Sequence, residues 1–149
     1  MHQAELLANW ARQKTSCNYQ CLVGPVEVEF EFKGQFGHPS SYAYVRLRAE
    51  PADELAFSAS VAWPEEFDQE YARRIQDTVA EAIVDGLLGR ENEYPYRGCS
   101  VQLIGFRWDS VGGSERAVHR ATVKAVELLR ANASWHLSTG HYRSYRDDA

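Results

Sequence analysis

Residues 26–32 read Val-Glu-Val-Glu-Phe-Glu-Phe, a strict alternation of apolar and acidic side chains. A helix would scatter these glutamates around its surface, whereas an extended chain sends successive side chains to opposite faces. The run is therefore a strand. Val26, Val28, Phe30 and Phe32 take its core face, and Glu27, Glu29 and Glu31 take its wet face. A strand wet on one side belongs to a sheet that is covered on the other.

The chain beyond supplies the rest of such a sheet. After a Gly-containing loop, 33–41, Ala43, Val45 and Leu47 alternate with Tyr44, Arg46 and Arg48, completing an antiparallel hairpin. One register sets Glu29 opposite Arg46 and Glu27 opposite Arg48. The next sets Glu27 opposite Glu50, so charge pairing selects the first. Pro51 ends the second strand, and Leu55, Phe57, Ala59 and Val61 mark a third, closed by Trp63-Pro64. Over 65–86, Phe67, Tyr71, Ile75, Val79, Ala82 and Ile83 recur at helical spacing. Glu65, Glu66 and Asp68 suit the positive end of that helix, and Gly86 and Gly89 are its natural stops. A polar loop, 90–97, leads to a fourth strand through Val101, Leu103 and Gly105. A loop over 106–113 precedes Ser114, the N-cap of a second helix with Val118, Ala121, Thr122, Ala125 and Leu129 on its inner face.

The order βββαβα predicts an α+β fold: a two-layer sandwich whose four-stranded sheet carries both helices on one face. Residues 1–24 form an N-terminal extension, with a short helix expected over 3–14 around Leu6, Leu7 and Trp10. The domain is expected over 25–135, and 136–149 reads as a loose polar tail.

Composition bounds what such a domain does. At 44% hydrophobic, with four Trp, eight Tyr and six Phe, it has material for a core. A net charge of −5 and a pI near 5.5 argue against a general nucleic-acid coat protein but leave room for a local basic patch. Three Cys cannot close a disulfide framework. Residues 1–14 lack a signal-peptide core, and no run approaches the ~20 apolar residues that span a bilayer. The expectation is a cytoplasmic protein with no membrane partner.

Motifs for chemistry are missing. No stretch matches the phosphate loop, and 105–114 lacks its lysine, so neither nucleotide nor other cofactor is expected. Cys17 and Cys21 are a single pair where zinc needs about four converging ligands; they read as a free thiol and a buried Cys, with no metal. No nucleophile elbow or Cys-His signature appears. Glu65, Glu66, Asp68 and Glu70 spread around the first helical turns, as solvated charges do, and His119 follows a core position as an ordinary surface His. No residue is assigned a catalytic role, and the chain is expected not to be an enzyme.

The informative feature is spatial. In a βββαβα sandwich, loops 33–41 and 106–113 are expected at one end of the sheet. They would gather Lys33, Gln35, Phe36, His38, Arg107, Trp108 and the free backbone amides near Ser114. Cations, exposed aromatics and a helix N-terminus suit phosphate and unstacked bases. The competing reading is two ordinary connections whose aromatics fold back into the core.

The same two loops carry a family likeness. Lys-Gly-Gln-Phe-Gly-His at 33–38, closed by Arg-Ala-Glu-Pro at 48–51, resembles the start of the fourth domain of elongation factor G and its eukaryotic counterpart. Later pieces keep the family's order: a helix over 68–85, Gly-Leu-Leu-Gly at 86–89, Tyr94-Pro95, a strand to Ile104, and Val-Gly-Gly-Ser-Glu-Arg-Ala at 111–117. The likeness spans 26–133. It implies a fold shared with the second domain of a small-subunit ribosomal protein, including a left-handed βαβ crossover. It also implies a tip, built from these two loops, that enters the decoding site. The chain departs from the family at Asp109, where a His commonly follows the aromatic, at Phe32-Lys33, which replace the family's doubled glycine before Gly34, and in an insertion over 90–93. An acid among RNA-facing residues is unfavourable beside phosphate. No GTPase domain accompanies this one in the sequence. The resemblance therefore implies a non-catalytic translation-related module. It would bind ribosome or structured RNA through Lys33, Gln35, Phe36, His38, Arg107, Trp108, Asp109 and Ser114. The alternative is a repurposed scaffold that binds a protein partner in a regulatory role.

Overall fold

The structure, a computed structural model, describes residues 18–34, 42–88, 94–109 and 113–138. Its elements are β1 (Tyr19–Leu22), β2 (Val26–Lys33), β3 (Tyr42–Pro51), β4 (Ala56–Ala59), α1 (Gln69–Leu88), β5 (Cys99–Trp108), α2 (Glu115–Asn132) and β6 (Trp135–Ser138). Four of the strands form a mixed sheet in the order β2-β3-β5-β4, antiparallel except for the parallel pair β4–β5. Both helices join the core on one face, where Ile75, Val79, Val118 and Ala121 meet Val45, Leu47, Val101 and Leu103. The α+β two-layer sandwich is thus the observed fold.

The β2–β3 register is the one that charge pairing selects, with Glu27 opposite Arg48 and Glu29 opposite Arg46. Glu27, Glu29 and Glu31 are exposed, Val28 is buried, and Phe30 and Phe32 are half-buried at the sheet edge.

Three elements depart from the sequence expectation. Helix α1 starts at Gln69, because the Asp68 carboxylate accepts the Tyr71 backbone N–H at 2.7 Å and caps it. Gly86 does not stop α1. It lies inside the helix, where an added Cβ would come within 2.6 Å of Val126 Cγ1, so glycine allows the close approach of α2.

Strand β5 runs to Trp108, beyond Gly105. Leu47 faces Leu103 but Arg46 faces Gly105, so Ile104 is an extra residue on β5. Such a bulge exchanges the two faces of the strand after it. Cys99, Val101 and Leu103 face the core before it; Phe106 and Trp108 do so after it. Simple alternation loses the strand at that point.

The region after Trp135 is not wholly a loose tail. Trp135–Ser138 pairs antiparallel with Tyr19–Leu22, a segment that the sequence pattern assigns to the N-terminal extension. The other edge of β1 bonds to the segment before β5, through Gln20 N–H to Pro95 O (2.7 Å) and Gly98 N–H to Gln20 O (2.9 Å). Four-residue strands of mixed polarity carry too little pattern to be read without their partners. The helix expected over 3–14 lies outside the described residues.

The helix contact yields a test. Gly86→Ala gains about 1 kcal/mol of helix propensity but overpacks against buried Val126, which costs about 1–3 kcal/mol. The expected net is a loss of about 1 kcal/mol in urea unfolding. Adding Val126→Ala should make Gly86→Ala neutral or stabilising; a Gly86→Ala protein more stable than the parent would refute the packing argument.

Candidate nucleic-acid interface

Both β2 and β5 run antiparallel to β3, so both end where β3 begins. The connections 34–41 and 109–114 therefore leave the sheet at one end. Across β3, Lys33 pairs with Tyr42, Arg107 with Tyr44 and Trp108 with Ala43. Lys33, Tyr42, Tyr44 and Arg107 share the open face, because their neighbour Ala43 is fully buried on the other.

A polar lattice covers that face. The Tyr42 hydroxyl donates to Glu31 at 2.7 Å, and the Tyr44 hydroxyl donates to Glu29. Arg46 donates to Glu27 from Nη2 at 2.5 Å and from Nε at 3.0 Å, and Arg48 Nη1 reaches the same carboxylate at 3.2 Å. Three of these contacts are diagonal to the backbone pairs, within the reach of long side chains. Lys33 Nζ lies 3.4 Å from Glu31, and the Arg107 guanidinium lies 3.9 Å from the Tyr44 ring centroid. Gly105 leaves the space: a Cβ there would stand 2.9 Å from Arg46 Cβ.

These contacts move the titrations. Hydrogen bonding from Arg46 holds the Glu27 carboxyl below its usual range, and the Tyr42 hydroxyl does the same for Glu31. Burial, then the hydrogen bond to a carboxylate, raises Tyr42 and Tyr44.

The expected tip residues separate into groups. Lys33 and Arg107 come to the same end of the open face. Trp108 is half-buried. The bulge turns it to the helix face, where it packs edge-on to Phe67 (4.9 Å) and Tyr71 (5.8 Å) and lies 6.2 Å from Phe106. A Cβ at Gly113 would fall on its indole, so the chain after β5 covers the ring. The segment 106–108 is strand, not loop, and its aromatics fold back onto the core. Asp109 is half-buried, and its carbonyl accepts the Gly113 N–H at 2.6 Å. Ser114 is the expected N-cap, its hydroxyl accepting the Ala117 N–H at 3.1 Å. Gln35, Phe36 and His38 lie outside the described residues. Sequence reasoning placed Tyr44, Arg46 and Arg48 on the wet face without assigning them to the site; their alternation opposite the glutamates was the available signal.

Among the described residues no group of three or more His, Cys, Asp or Glu converges to hold a metal ion, and no helix is long and apolar enough to cross a membrane. Cys21 and Cys99 are free thiols, and burial pushes Cys99 up to about 12, which leaves it unreactive near neutrality.

No family model matches the chain, and no curated protein matches it in sequence. A crystal structure of a protein from Thermus thermophilus is similar, with a TM-score of 0.67 and 21% identity. The match covers 80% of this chain and 18% of that one. At that identity the likeness shows the fold, and this chain corresponds to a small part of the longer protein.

Two measurements test the interface. Trp108→Ala should destabilise the domain by about 2–3 kcal/mol in urea, since it removes much of a packed aromatic side chain. Unchanged stability would return Trp108 to the surface. Folding stability should also fall at both pH extremes. The lowered carboxyls contribute above the ordinary carboxylate range and lose their contribution as pH falls through their folded values. The raised phenols contribute below the ordinary tyrosine range and lose their contribution as pH rises through theirs. Glu27→Gln should flatten the acid limb and Tyr42→Phe the alkaline limb; limbs identical to the parent's would remove these groups as the cause.

Proposed function

We propose that this domain is a non-catalytic, cytoplasmic RNA-binding module of the translation machinery, docking on ribosomal or other structured RNA with the sheet end that carries Lys33 and Arg107. One observation carries the reading: the shared direction of β2 and β5 puts both cations, the two connections 34–41 and 109–114, and the N-terminus of α2 at one end. Two exposed cations beside tyrosines suit phosphate with neighbouring bases. The ordered motifs resembling the fourth domain of elongation factor G support the ribosome as the source of that RNA, and the two-layer fold is compatible with it. In this reading Lys33 and Arg107 contact phosphate, while Gln35, Phe36 and His38 reach it from their loop. Trp108 holds the strand end in place rather than stacking on a base.

A protein partner is the second reading, favoured by the charge balance of the open face. Lys33 is paired with Glu31, and Arg46 and Arg48 with Glu27. Paired cations attract phosphate weakly.

Co-sedimentation with small ribosomal subunits at two salt concentrations decides between them. Lys33→Ala and Arg107→Ala should each weaken binding several-fold and lower the salt slope by about 1. If both variants sediment as the parent does, or the parent does not bind, RNA recognition at this end is refuted and the protein-partner reading replaces it.

A further inference from the structure

Among the described residues the sheet leaves one long edge open. β2 is the terminal strand, eight residues in length, and its outward backbone groups have no backbone partner among the described residues. The other open strands, β4 and β6, have four residues each. An unpaired edge of this length is a template for another strand, and proteins usually blunt one with a bulge, a proline or lysines. β2 has no bulge against β3, and its only proline neighbour, Pro25, precedes it. Its edge devices are the row Glu27, Glu29 and Glu31 on the open face and a single lysine, Lys33, at its last position, where it pairs with Glu31.

That row selects the partner. Antiparallel pairing with a second copy, centred on Glu29, sets Glu27 against Glu31; moved along so that the centre falls on Phe30, it sets Glu29 against Glu31. Like charges directly opposed are unfavourable, so the edge resists its own kind. A strand with cations at alternate positions meets the opposite situation. Its cations fall beside carboxylates, which keep lone pairs beyond those used by Lys33, Tyr42, Tyr44, Arg46 and Arg48. Glu29 meets no basic side chain at ion-pair distance among the described residues. Its intervening side chains fall beside Phe30 and Phe32, half-buried at the same edge.

We propose that the outer edge of β2 is a docking site for an extended protein segment of alternating basic and apolar residues, added as a fifth strand. The backbone supplies the affinity and the glutamate row the selectivity. The site adjoins the sheet end assigned to RNA at Lys33, the last residue of β2, but peptide binding is read at the β2 amides and RNA binding by sedimentation, so each can fail while the other stands.

The test uses the full chain and two synthetic octapeptides, one alternating Val and Lys and one alternating Val and Glu, with a block-ordered Val/Lys peptide as control. Backbone amide exchange is followed by NMR. The alternating Val/Lys peptide should slow exchange at every second amide of β2 and bind at least about tenfold more tightly than either other peptide. The variant Glu29→Lys/Glu31→Lys should reverse the preference toward the Val/Glu peptide. Three results overturn the proposal: outward β2 amides already protected in the free chain, protection that falls outside β2, or equal binding of alternating and block-ordered peptides. The peptide comparison on the parent chain stands by itself if the double variant does not fold.

Discussion

Strand β3 sets the position of everything around it. It is hydrogen-bonded along both edges, to β2 and to β5, and Ala43, Val45, Leu47 and Ala49 on its inner face are all at most 1% exposed. A strand buried on one face and paired on two sides has no freedom of register, because a slip of one residue would drive Tyr44, Arg46 and Arg48 into the core. β2 and β5 inherit their positions from it. Because both oppose it, their connections emerge together, and the candidate interface arises from the pairing rather than from any loop motif.

The bulge at Ile104 is the second constraint. It places Phe106 and Trp108 over the aromatic side chains at the start of α1, where Phe67 contacts Tyr71, Phe106 and Trp108. The same step leaves Arg107 on the open face beside Tyr44. A single inserted residue thus separates an aromatic cluster from the cation next to it in sequence, sending one to packing and the other to solvent.

The helix layer is held by closeness rather than by bulk. Gly86 lets α2 approach, and the inner face of α2 is built from Ala117, Ala121 and Ala125 as well as Val118, Val126 and Leu129. Thr122 is buried there without penalty, since its hydroxyl donates to the Val118 carbonyl at 2.8 Å. Small residues facing one another bring the helix axes near, and interior packing then leaves little room for change.

Local periodicity in the amino-acid sequence was enough to mark β2 and β3, the inner faces of both helices, the Ser114 cap, the charge-selected register and the α+β class. Each depends on neighbours a few residues apart or on one hairpin, where side-chain spacing reports directly on exposure. Other features arise only when distant parts of the chain meet. The β1–β6 pair joins segments more than a hundred residues apart, which no local pattern announces. The interior position of Gly86 depends on Val126 of another helix. The fate of Trp108 depends on a bulge whose only sequence trace is that Leu103 and Phe106 are both apolar and out of phase. A strand's faces are set by its partner's backbone, and that partner is chosen only when the whole sheet assembles.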